Sequence, residues 1–296
     1  MAENSVMNDK SELQALISLV DEPDISLYAR VRNRIFDYGM QAVPALEEAF
    51  DNCPDNLVQD RIVSLIHEIQ QQHLYNELHH WKLFGGQDLL TGFLIVTRHQ
   101  YPDLDIDNIT RQVGRLIQDV YNELNPQLTP LEKTRVLNHV LYDINKFSGN
   151  TSNLQAPENF YIKNLLETRK GNPISLGMLY LLLARGMRIP IYGVDLPRHF
   201  VLAYLDERYD LPVSQASEEQ VLFYLNPFNK GAVFTRNEIE LYIRQLKLVR
   251  ERSYFVPCDN VAIISRLING LAEAWRAASN EQKAEELENL RKALED

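Results

Sequence analysis

"RKGNPISLGMLYLLLARGM", residues 169–187, decides how the chain is read. Asn172 has the side chain of a helix cap, and Pro173 suits a first turn, where its missing N–H costs nothing. From Ile174 onwards almost every side chain is apolar, so the helix predicted from Pro173 to about Met187 has no wet face. Such a helix belongs inside a core. Ser175 lies in its first turn, at the positive end of the helix dipole. Two roles are open to it there: an activated nucleophile, or a small polar residue completing the cap.

The character of the chain changes after this helix. "IYGVDL", "HFVLAYLD" and "VLFYLNPF" are short, rich in β-branched and aromatic residues, and separated by turn residues. A buried helix followed by three strands predicts an α+β core, with the helix across an antiparallel sheet that includes residues 199–206.

Elsewhere the patterns are helical. "SELQALISLV" opens with Ser11 and Gln14 at capping-box spacing, and "DISLYARVRNRIFDYG" runs from a capping Asp24 to Gly39. In "DNLVQDRIVSLIHEIQ", Leu57, Ile62, Leu65, Ile66 and Ile69 are assigned to one face. "TPLEKTRVLNHVLYDINKF" starts at Thr129 with Pro130 and Glu132, and is expected to end at Gly149 and Asn150. Near the C-terminus, Thr235 and Glu238 form another box, and residues 259–294 read as a helical hairpin. The expected organisation is a helical region over 1–128, a core over 129–250 and a hairpin over 251–296.

Composition limits the function classes. The formal net charge of −11 argues against a general grip on nucleic acid, which needs a basic footprint. No apolar run reaches membrane-spanning length, and "MAENSVMNDKSELQ" lacks the basic and apolar regions of a signal peptide. A cytoplasmic protein is expected. Cys53 and Cys258 have no CxxC partner, so two reduced, buried thiols are expected. His67, His73, His79 and His80 lack the three- or four-residue spacing that sets two ligands on one helical face. Neither a metal nor an organic cofactor is expected.

Three motifs carry a family resemblance. "LETRKGNPISLGMLYLLLARGMRIPIYGVDLPRHFVLAYLD" followed by "LNPFNKG" resembles the SirB1-type proteins, described as a transglutaminase-like, papain-related core. That family shows a G-x-P-I-S-L helix start, a P-x-H-F strand start and a D-P-F-x-x-G segment. The resemblance runs from about Leu137 to Leu246. Flanking it, "YGMQAVPALEEAF" resembles a HEAT-type unit, and the C-terminal hairpin resembles a tetratricopeptide one. The implied site is Ser175, His199 and Asn226, separated by 24 and 27 residues. Active transglutaminase-like enzymes have Cys at the first position and usually Asp at the third. Ser175 is ordinary for SirB1-type proteins, whereas Asn226 departs from their Asp. Arg198 stands where a glycine is common.

These departures bear on chemistry. A helix N-terminus can hold a thiolate, but a serine hydroxyl is too weak an acid and relies wholly on a base. His199 as that base would become an imidazolium, which a carboxylate stabilises and an amide does not. In a Ser–His–Asp site, changing Asp to Asn costs about 10⁴ in turnover. The expected protein is therefore a pseudoenzyme that binds a protein or peptide partner of unspecified identity. The alternative is a slow hydrolase or acyltransferase on an amide or ester, with Ser175 as nucleophile and His199 as base.

Overall fold

The computed structural model describes residues 11–125, 127–206 and 215–295, which divide after Glu77 into two units. The reading of residues 1–10 as free of a secretion signal lies outside them. In the first unit, α1 (residues 11–17) is already helical at Ser11, so that side chain lies inside the helix instead of capping it. Asp24 opens α2 (Ile25–Asp37) by accepting from the amides of Ser26 and Leu27. Gly39 follows at φ 54°, the left-handed turn expected there. α3 (Val43–Asn52) and α4 (Asn56–Leu83) complete the unit, and α4 carries the chain across the division. Ile62, Leu65 and Ile69 of α4 enter the core with Val31, Ile35 and Leu46. Leu57 does not, being 62% exposed, because five residues before Ile62 lies off that face.

The second unit holds the core. α5 (Leu89–Arg98) and α6 (Ile106–Glu123) are capped by Asp88 and Asp105. In α7 (Pro130–Asn138) the box is closed on both sides: the Thr129 amide donates to Glu132 at 2.8 Å, and the Glu132 amide to Thr129 at 3.4 Å. The helix does not reach Gly149. It widens to a π-helix over His139–Ile144 and stops, and Ser148–Gly149 becomes strand β1. After α8 (Ile162–Thr168), β1 pairs in parallel with β2 (Lys170–Gly171) immediately before the buried helix.

That helix is α9 (Pro173–Gly186), and every residue from Ile174 to Ala184 is buried. Full burial of each large aliphatic side chain stabilises the fold by roughly 1.5–3 kcal/mol, which makes α9 the centre of this unit. Strands β3 (Ile191–Leu196), β4 (His199–Leu205) and β5 (Val221–Asn226) follow as predicted. A fourth strand, β6 (Ala232–Phe234), extends the antiparallel sheet, whose order is β3-β4-β5-β6. The chain closes with α10 (Arg236–Gln245) and the pair α11 (Asn260–Ala277) and α12 (Glu281–Arg291).

Both faces of the sheet are covered. On one, Phe200 of β4 packs so closely on Gly177 of α9 that a β-carbon there would lie 2.6 Å from its ring. On the other, Val194, Val201, Ala203 and Tyr224 pack with Ile239 and Ile243 of α10. This division of faces positions the candidate site. No helix among the described residues is long and apolar enough to cross a membrane.

Candidate functional site

Ser175 sits at the start of α9, and its surroundings follow from the cap. The Asn172 side-chain oxygen accepts from the Ser175 amide at 2.9 Å, and the Asn172 amide donates to the Ser175 hydroxyl at 3.1 Å. These are the reciprocal bonds of a capping box. Ser175 is fully buried, and a β-carbon on Gly171 would lie 2.6 Å from its Oγ. The hydroxyl is thus wrapped in its own turn, with backbone on one side and Leu165 and Leu176 nearby.

His199 begins β4 one residue before Phe200. Neighbouring side chains of a strand point to opposite faces. Phe200 takes the α9 face, so His199 lies with Val201 and Ala203 on the α10 face. Its ring meets Tyr242 of α10 at 5.0 Å between centroids, in an edge arrangement. His199 is itself exposed at the strand start, and its partial desolvation against the neighbouring side chains lowers its pKa from the ordinary 6.5, favouring the neutral imidazole.

Asn226 ends β5 on the same face as Tyr224. Its side-chain oxygen accepts from the amides of Phe228 and Asn229, both at 3.1 Å, turning the chain after Pro227. His199 and Asn226 line one cavity of about 340 Å³, shared with Glu238, Ile239 and Tyr242. Ser175 is absent from its lining. The structure therefore brings the histidine and the asparagine together on the α10 side, while the serine stays inside the cap of α9.

The "NPFNKG" loop after Asn226 is held from α7. Tyr142, on the π-helical turn, donates to the Pro227 carbonyl at 2.7 Å, and Asn138 donates to the Gly231 carbonyl at 3.1 Å. Tyr180 of α9 in turn donates to the Asn138 side-chain oxygen at 3.0 Å. Burial raises the pKa of both tyrosines, so the phenols stay protonated donors. Gly231 has φ 67°, and a β-carbon there would lie 1.9 Å from the Asn138 oxygen. The terminal glycine of the motif is accounted for by this clamp. Sequence reasoning singled out neither Asn138, Tyr142 nor Tyr242. For Tyr242 a signal existed, since Ile239, Tyr242 and Ile243 form an i, i+3, i+4 stripe.

Among the described residues, no group of three or more His, Cys, Asp or Glu is arranged to hold a metal ion. Of the four clustered histidines, His73 faces Glu77 at 3.3 Å and His79 meets the Ala293 carbonyl at 3.3 Å. Cys53 and Cys258 are free thiols, each only partly buried instead of fully so. Cys258 donates to the Gly193 carbonyl at 3.3 Å, and burial pushes its pKa up to about 12.

Residues 107–269, more than half of the chain, match the family model described as the transglutaminase-like superfamily. A UPF0162 protein of Xylella fastidiosa is 31% identical over 157 residues, covering 53% of this chain and 51% of its own. A UPF0162 protein of Vibrio cholerae is 24% identical over 160 residues, covering 54% and 55%. The mouse F-box only protein 21 is 35% identical over 213 residues, covering 61% of this chain and 32% of its own. The chain thus spans about half the length of these bacterial relatives and a third of the mouse protein. No solved structure matches it significantly. With a buried helix leading into an antiparallel sheet and a family match over the same residues, the chain belongs to the transglutaminase-like superfamily.

Proposed function

We propose that this is a SirB1-type protein that carries out no turnover at its helix-start site and acts by binding a protein or peptide partner. The observation that carries this reading is the Ser175 hydroxyl, fully buried and bonded to the Asn172 amide. A nucleophile needs a base within hydrogen-bond reach and an open approach for the reacting carbon. Here the histidine takes the opposite face of the sheet and packs on Tyr242. The same reading assigns the flanks, HEAT-like helices within 1–128 and the TPR-like hairpin of 251–296, to partner contact around a core of 129–250. It places the protein in the cytoplasm.

Two measurements test the catalytic half of this reading. Fluorophosphonate probes of activated serines are expected to leave Ser175 unlabelled. The thiol of Ser175→Cys, shielded as the hydroxyl is, is expected to react with iodoacetamide no faster than Cys53 in the same molecule. Strong fluorophosphonate labelling of Ser175 that His199→Ala abolishes would replace this reading with that of a hydrolase or acyltransferase.

A further inference from the structure

A second cavity, of about 460 Å³, opens at the start of α9, where Asn172 and Pro173 of the Ser175 cap line it, and away from His199 and Asn226. Its floor is apolar, with Phe160, Phe200 and Ile174, and its volume suits a side chain with attached backbone. Its charges lie at two ends. Arg198 stands at the tip of the β3–β4 turn, exposed and at φ 62°. That conformation costs an L-residue roughly 1–2 kcal/mol relative to glycine. Among the described residues Arg198 has no ion pair, and the adjacent cation of the lining, Arg266, is already bonded to Asp195 and to the Leu196 carbonyl.

A single carboxylate, Glu273, stands at the other end, electrostatically coupled to Arg266. Arg266, Asn269, Gly270, Glu273 and Ala277 line the cavity from one stripe of α11. We propose that this cleft binds an extended peptide segment with an acidic residue on Arg198 and a basic residue towards Glu273. Between them an apolar side chain rests on Phe160 and Phe200. Exposed and without an ion pair among the described residues, Arg198 is free to anchor the carboxylate. The inference rests on the binding reading above and gives that partner a charge pattern.

The test uses the full chain and fluorescein-labelled hexapeptides with one acidic, two central apolar and one basic residue, in both orders, read by anisotropy. At least one is expected to bind saturably, and Arg198→Glu is expected to weaken it tenfold or more. A version of that peptide with lysine for its acidic residue should bind Arg198→Glu better than the unaltered protein. Arg198→Gly should also lose binding while the protein melts no lower, which separates lost recognition from lost folding. No saturable binding by any member up to about 1 mM, or binding indifferent to both Arg198 and Glu273 substitutions, would overturn the proposal. Mass spectrometry of the bound peptides separates the two readings. A peptide cleaved or acylated with His199 dependence would overturn the non-catalytic reading and leave the cleft assignment standing.

Discussion

At the scale of single residues, His199 shows how packing sets protonation. Exposed at the strand start but partly desolvated by its neighbours, it has a lowered pKa, so the unfolded chain binds a proton more readily than the folded one. Stability is therefore expected to rise with pH across the range just below 6.5, and to fall as acidification protonates the ring. By NMR, the His199 ring should titrate below 6.5, and His199→Gln should flatten the pH dependence of urea unfolding in that interval. A ring titrating above 6.5 would contradict the packing described. Ser175 makes a different prediction. If it serves the cap, Ser175→Ala should cost about 1 kcal/mol in urea unfolding. Asn172→Ala should cost at least as much, since its buried side chain receives the Ser175 amide. The double variant should cost less than the sum, because the two bonds form one box.

At the scale of elements, the loop between β5 and β6 is built by residues distant in sequence. Asn226 turns it, Tyr142 and Asn138 clamp it, and Gly231 lets the clamp close. Gly231→Ala combines a strained φ with a clash against the Asn138 side chain. A loss of about 2–4 kcal/mol is expected, measured by denaturant unfolding. Adding Asn138→Ala removes the clash, so that the pair should cost less than the two single changes together. Full additivity would mean the loop does not depend on this contact. The π-helical turn belongs to the same device: the Asn145 amide reaches back to the Val140 carbonyl at 3.0 Å, and Tyr142 between them is aimed at Pro227.

At the scale of the molecule, the second unit is closed by its C-terminal pair of helices. Ala284, Leu287, Leu290, Ala293 and Leu294 are all buried. The pair is also pinned by polar contacts, with Glu286 facing the buried His99 at 3.2 Å and His79 meeting the Ala293 carbonyl. Removing residues 279–296 would remove the burial of Leu287, Leu290 and Leu294, worth roughly 1.5–3 kcal/mol each, a large share of a typical domain stability of about 5–15 kcal/mol. The shortened protein is expected to lose its cooperative thermal transition and to become sensitive to limited proteolysis within 78–278. A cooperative transition retained at the original temperature would show the pair to be an appendage. Much of this architecture was legible in the chain, because its causes are local. The caps at Asp24, Thr129 and Asn172 depend on side chains reaching amides two or three residues away, and the burial of α9 follows from its lack of any polar face. What the sequence left open was which face of the sheet each residue of β4 takes. An alternating pattern would have declared it, but "FVLAYL" is apolar throughout, because α9 covers one side of the sheet and α10 the other. Only the tertiary packing, with Phe200 against Gly177, sends His199 to Tyr242 and leaves Ser175 inside its cap.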